Sequence, residues 1–111
     1  QEAITTESGL QYKVLIPGDG RKPGPKSHVM VHYRGLLLNG MQVDSSWSSD
    51  EPVRFSLKRV IKGWTEGMQL MPEGSVYVFL IPPELAYGKR GAGVIPPDAT
   101  LIFEIELFEV K

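Results

Sequence analysis

The sequence predicts an α+β domain in which an antiparallel sheet carries one short helix. Three observations lead there. Most ordered segments alternate apolar and polar residues with the period of two that marks strands. One segment, Val60 to Leu70, instead places apolar residues at three- and four-residue spacing. The 12 glycines and 9 prolines cluster between these segments, as turn residues do, and show no collagen-like or solenoid period.

Taken in order, Leu10 to Ile16 alternates loosely and stops at Pro17-Gly18, a short strand and its turn. The following Gly18-Asp19-Gly20-Arg21-Lys22 has the look of a phosphate cradle, but no Gly-Lys-Ser/Thr and no helix follow, so it reads as a plain loop. Ser27 to Leu38 is a long strand with Val29, Val31 and Tyr33 on one face and Met30, His32 and Arg34 on the other. Asn39-Gly40 is a hairpin signal, and Met41 to Ser46 returns as its partner. After a polar loop, Val53 to Leu57 resumes as a strand. In the helix, Ile61, Trp64, Met68 and Met71 form one stripe, too short to be stable without a sheet beneath it, and Pro72 and Gly74 end it. Ser75 to Ile81 is a strand stopped by Pro82-Pro83. Glu84 to Tyr87 is a single turn, Gly88 to Pro97 a loop, and Thr100 to Val110 a strand with Leu101, Phe103, Ile105 and Leu107 inward.

Composition closes off several functions. A length of 111 residues makes one domain, and a net charge of −1 argues against a protein that grips nucleic-acid phosphates. Without cysteine there are no disulfides, thiolate metal sites or cysteine nucleophiles. No apolar run approaches the ~20 residues of a membrane helix. The chain opens at Gln1 without a Met, so an upstream segment is expected to have been removed or left out.

Conventional catalytic groupings are poor. His28 and His32 share a strand face, lack a His-Glu-x-x-His context and read as exposed strand histidines. No Gly-x-Ser-x-Gly elbow is present, and Glu104 and Glu106 look like the solvated face of a strand. Asp44, Ser46, Ser48 and Asp50 alternate as calcium ligands do, but an EF-hand would need glycine at Ser49 and glutamate at Phe55. No metal and no cofactor are therefore expected. What stands out is aromatic and aliphatic: Tyr33, Trp64, Tyr87 and Phe103, with the strings Val60-Ile61-Lys62-Gly63-Trp64, Ala86-Tyr87-Gly88 and Val94-Ile95-Pro96-Pro97.

These strings, together with Val31-His32-Tyr33-Arg34-Gly35, Asp44-Ser45-Ser46, Glu66-Gly67-Met68 and Ala99-Thr100-Leu101-Ile102-Phe103, resemble the FKBP-type peptidyl-prolyl isomerases, the class that also binds tacrolimus and rapamycin. They occur in family order from about Gly9 to the end. Ser8-Gly9-Leu10-Gln11-Tyr12 and Ile81 to Gly88 look most like the bacterial Mip-like branch, whose members often carry an N-terminal helical dimerisation domain. The resemblance implies a strongly curved antiparallel half-barrel wrapped around the helix, with residues 1–8 a lead-in and 9–111 the isomerase domain. It implies an apolar cup with Trp64 as floor and Tyr33, Val60, Ile61, Tyr87, Ile95 and Phe103 as walls, Val94 adjoining and Asp44 at the rim. It further implies that the Tyr87 hydroxyl and the Ile61 amide hold substrate carbonyls, while Asp44 orients and no residue is a general acid or base.

Two positions depart from the family pattern. Val43 and Val53 stand where large aromatics are usual, which implies a wider cup, reduced activity and weaker macrolide binding. The expected function is a prolyl isomerase acting on proline-containing polypeptide clients as a folding helper; the alternative is a proline-peptide or macrolide-binding chaperone or adaptor with little turnover. The expected state is a monomer, or a dimer if a helical domain precedes it, in the bacterial cytoplasm or periplasm, away from nucleic acid and membrane. Finally, if Tyr77, Phe79 and Ile81 face the helix, Val76, Val78 and Leu80 lie outward beside Met30 as an apolar patch that could dock another segment or chain.

Overall fold

The computed structural model describes residues 3–46 and 51–111. Seven strands and one helix follow as β1 (Ile4–Thr5), β2 (Gln11–Ile16), β3 (His28–Leu37), β4 (Gln42–Ser45), β5 (Val53–Ser56), α1 (Lys62–Met68), β6 (Val76–Ile81) and β7 (Leu101–Val110). All strand pairs are antiparallel, in spatial order β1-β2-β6-β7-β3-β4, with β5 also on β3. The sheet stays open, a half-barrel with α1 against its inner face.

The long strand β3 organises it. One edge pairs with β7 from Val29 to Leu37, and the other is divided between β5, along His28 to Val31, and β4, along Arg34 to Leu36. Between those two partners the backbone of Tyr33 is served by Ser46 instead. Its amide donates to the Ser46 hydroxyl at 2.8 Å, and its carbonyl accepts from the Ser46 amide at 2.9 Å. Ser46 is buried, unlike an ordinary loop serine. The hydroxyl also meets His32 Nδ1 at 2.8 Å, so His32 is a half-buried structural partner and not the exposed residue its strand position suggests.

Inward alternation holds on both central strands. Val29, Val31 and Tyr33 on β3 and Leu101, Phe103, Ile105 and Leu107 on β7 are buried, together with Tyr77, Phe79 and Ile81 on β6. The helix is shorter than its apolar stripe. Ile61 has an extended backbone at its start, and after Met68 the chain tightens into three-residue bonds, Leu70 to Gly67 and Met71 to Met68, ahead of Pro72. Trp64, Met68 and Met71 of the stripe are buried.

The first strand and the Gly18–Lys22 loop are both tied to the rest of the fold by side chains. Thr5 and Ile4 pair with Gln11 and Tyr12, and the Thr6 and Ser8 hydroxyls donate to the Glu66 carboxylate on α1 at 2.7 and 2.5 Å. The first residues described are thus part of the sheet and latched to the helix. The Gly18–Lys22 loop closes on a carboxylate. Glu73 accepts from the Val110 amide at 2.8 Å and the Arg21 amide at 3.3 Å, which fills the space a phosphate would need with negative charge. Those amide bonds, and the Arg21 guanidinium behind them, hold the Glu73 carboxyl below the usual carboxylate range.

The outer patch also needs correcting. Val76 is buried, and Val78 and Leu80 are half-buried, because β6 is an interior strand. Ile16 and Glu106 flank Val76, Lys13 and Glu104 flank Val78, and Gln11 and Ile102 flank Leu80, so neighbouring side chains shield much of the aliphatic surface. The calcium-like loop positions Ser48 and Asp50 lie outside the described residues.

Gly63 and Gly67 decide how closely α1 lies on the sheet. A methyl group at Gly67 would stand 2.6 Å from Phe79 Cε1, and one at Gly63 would stand 2.6 Å from Ile81 Cγ2. Alanine is the better helix former by about 1 kcal/mol. The clash outweighs this, since overpacking a core costs about 1–3 kcal/mol. Gly67→Ala is therefore expected to lower the urea midpoint of unfolding; an unchanged or raised midpoint would mean the ring of Phe79 gives way freely.

Candidate functional site

The close helix brings Trp64 among three other rings. Its indole centroid is 5.1 Å from Tyr33, 5.2 Å from Phe55 and 5.4 Å from Phe103, with interplanar angles of 86°, 75° and 89°. Edge-to-face pairs of this kind are worth about 0.5–1.5 kcal/mol each beyond their buried area. The indole N–H is buried and has no hydrogen-bond partner among the described residues. Phe103 reaches its place because Gly35, its cross-strand partner on β3, has no side chain. A methyl there would stand 2.6 Å from the ring.

Above this floor opens a cavity of about 360 Å³, lined by Tyr33, Asp44, Phe55, Arg59, Val60, Ile61, Trp64, Tyr87 and Phe103. The sequence-predicted Tyr33, Asp44, Val60, Ile61, Trp64, Tyr87 and Phe103 meet here. Val43, Val53, Val94 and Ile95 are not among the lining residues. Val43 is the extra residue of a bulge in β4, where Asp44 faces Gly35 but Gln42 faces Leu36. Val53 sits opposite Val31, two residues before Phe55 on the same side of β5. Val94 is 67% exposed at the loop tip, and Ile95 packs against the core from its bridge to Ala92.

Phe55 and Arg59 line the cavity without having been singled out in the sequence. Phe55 was legible in principle, because it alternates with Arg54 and so shares the inner face with Val53. Arg59 lies in the link between β5 and α1, where no periodicity tells which side chains turn inward.

The polar groups are few and directional. The Tyr33 hydroxyl donates to Asp44 Oδ1 at 2.9 Å, and the Ser45 amide donates to the same oxygen at 2.9 Å. Burial first, and then the Asp44 carboxylate, push the Tyr33 phenol far above its ordinary value. Burial, with Asp44 second, raises Tyr87 as well. Both phenols are therefore donors at neutral pH. Tyr87 Oη makes no hydrogen bond to the described residues. The Ile61 carbonyl accepts from the Trp64 and Thr65 amides, while the Ile61 amide itself donates to no protein group among those residues. The Tyr87 hydroxyl and the Ile61 amide thus stand unengaged on a wall that is mostly aromatic and aliphatic, with Asp44 and Arg59 its charged members. Such a hollow can bind a small apolar ring and hold carbonyl oxygens near it. It offers no nucleophile beside a base.

The FKBP-type peptidyl-prolyl cis-trans isomerase family matches residues 19–108. FkpA of Aeromonas hydrophila is 51% identical over 107 residues, spanning 96% of this chain and 40% of that protein. Mip of Coxiella burnetii is 47% identical over 108 residues, spanning 96% of this chain and 47% of its own length. In a crystal structure of FkpA from Escherichia coli, 44% identical, the superposition has a TM-score of 0.95 and covers 98% of this chain and 51% of that one. The chain thus spans about half the length of these relatives.

Alkaline titration tests the environment of the site. The difference in phenolate absorbance between the protein and its Tyr87→Phe variant is expected to have a midpoint above 10, the ordinary tyrosine value. A midpoint at or below 10 would contradict a desolvated Tyr87.

Proposed function

Because the chain belongs to the family of FKBP-type peptidyl-prolyl cis-trans isomerases, we propose that its cavity accelerates rotation about X-Pro bonds in protein substrates, as a folding helper. The observation that carries this reading is the pairing of an aromatic hollow with two unengaged donors, the Tyr87 hydroxyl and the Ile61 amide.

The chemistry follows from the amide itself. Resonance gives the C–N bond a barrier of about 18–20 kcal/mol. Rotation breaks that resonance and draws charge back from the carbonyl oxygen, so the twisted amide is less polar than the planar one. A pocket of Trp64, Phe55, Phe103 and Tyr33 solvates the planar form poorly and the twisted form with less loss. That difference between ground and transition state is what lowers a barrier. The rings grip the proline. The Tyr87 hydroxyl and the Ile61 amide hold neighbouring carbonyls, which fixes the chain on one side while the other turns. Asp44 acts through Tyr33 by fixing the direction of its hydroxyl. No proton is transferred.

In a protease-coupled assay on a short X-Pro peptide, Tyr87→Phe is expected to lower kcat/KM about two- to twelvefold, the worth of one neutral hydrogen bond. The unmodified protein should show a flat profile from pH 6 to 9, because a raised phenol keeps its proton throughout that range. Binding of the peptide without any acceleration would favour the second reading, a proline-binding chaperone or adaptor.

Tacrolimus and rapamycin are proposed as ligands of reduced affinity. Either macrolide overhangs a hollow of about 360 Å³, so it meets β4 and β5 beyond the lining. There Val43 and Val53 offer less apolar area than phenyl rings, a deficit of about 1–2 kcal/mol each. Val43→Phe should tighten tacrolimus binding about tenfold by calorimetry, and unchanged affinity would refute the assignment. In this reading the chain acts as a monomer in the bacterial cytoplasm or periplasm, and as a dimer only if a helical N-terminal domain precedes it. Among the described residues no helix is long and apolar enough to cross a membrane.

A further inference from the structure

Resting on the isomerase reading, we propose that the substrate chain beside the proline lies in a second groove and that this protein favours substrates with acidic residues flanking the proline. The cavity does not end at Val60. That residue also lines a neighbouring groove over the outer side of α1, which includes Lys58, Lys62, Glu66, Leu70 and Leu85. A polypeptide held at the cavity by Ile61 and continuing past Val60 runs directly into it.

Charge selects the occupant. Arg59 lines the cavity, and Lys58 and Lys62 line the groove, so three cations occur within five residues of chain. All three are exposed, and none forms an ion pair among the described residues. The two carboxylates that line these spaces are already engaged. Asp44 accepts from the Tyr33 hydroxyl and the Ser45 amide, and Glu66 accepts from the Thr6 and Ser8 hydroxyls. Three cations against two carboxylates leave the path with a formal excess of one positive charge, on a protein whose net charge is −1. Leu70 and Leu85 give the groove apolar contact for the rest of an extended segment. The complementary ligand is an acidic stretch of polypeptide with scattered aliphatic side chains.

Exposed charge pairs are individually weak, so the preference is a modest one. Summed over three cations it amounts to about three- to tenfold at low salt, fading as salt shortens the screening length.

The experiment is exchange NMR on one X-Pro peptide series that differs only in carrying Glu, Gln or Lys two residues before or two residues after the proline. With the unmodified protein, kcat/KM is expected to fall in the order Glu, Gln, Lys on at least one side, and the spread is expected to shrink at 0.5 M NaCl. In the variant carrying Lys58→Glu, Arg59→Glu and Lys62→Glu the order should invert. Because each comparison is a ratio within one protein, partial loss of folded protein cancels. Acceleration of all three peptides at equal rates, or an order that survives the triple substitution, overturns the charge preference and leaves the isomerase reading standing. Acceleration of none overturns that reading and this inference together.

Discussion

Everything at this site depends on the near-contact between α1 and β6. Gly63 and Gly67 are one turn apart on the helix and present no side chain to Ile81 and Phe79. The helix can therefore sink until the indole of Trp64 stands on the sheet, among rings from β3, β5 and β7. A seven-residue helix has no stability of its own. It exists because this surface holds it, and the cavity floor exists because the helix is held. Fold and site are in this respect one packing problem. The Thr6 and Ser8 bonds to Glu66 press on the same helix from its outer side.

The second constraint is electrostatic economy. In the proposed reading, a pocket that solvates a planar amide badly must keep its own polar groups quiet. Asp44 Oδ1 is engaged by two donors, and the Tyr33 backbone is satisfied by Ser46. Tyr87 Oη and the Ile61 amide are left as donors, and both match a carbonyl oxygen. The extended backbone of Ile61 is what frees its amide, since it stands one residue before the helix while its carbonyl serves Trp64 and Thr65.

Much of this was legible in the sequence, for identifiable reasons. Strands β3 and β7 could be read because alternation over ten residues is hard to mistake, and the aromatic members of the site fall on their inner faces or within distinctive strings. Strand β1 was not legible, since two residues carry no period. The helix was read too long because a stripe of apolar residues continues into turns that use three-residue bonds, and side-chain spacing cannot tell the two apart. Val76 was misplaced by the same reasoning that succeeded elsewhere. Alternation assigns a face, but the cover on that face comes from β2 and β7, which are distant in sequence. The family resemblance implies a wall position for Val53, whereas Phe55, two residues on along β5, is the residue that lines the cavity and meets Trp64. Ser46 looks like any loop serine until β3 is seen to change partners at Tyr33.

The rim opposite the helix is built on a different principle from the floor. Tyr87 follows a single turn, Pro83–Leu85, and opens a loop in which Gly88, Gly91 and Gly93 all have positive φ. At Gly91 the requirement is absolute, for an added methyl would collide with the Ile95 carbonyl as well as strain the backbone. The loop is nonetheless pinned: the Gly91 amide donates to Tyr87, Ala92 and Ile95 bond each other, and the Asp98 amide reaches back to Gly88. Glycine here supplies an unusual path that hydrogen bonds then fix, and that path sets where the Tyr87 hydroxyl stands. Tyr87 is thus placed by backbone turns, while the rings of the cavity floor are placed by close packing. Substitutions at exposed loop positions such as Val94 should therefore leave the helix packing intact, whereas substitutions at the helix glycines disturb it.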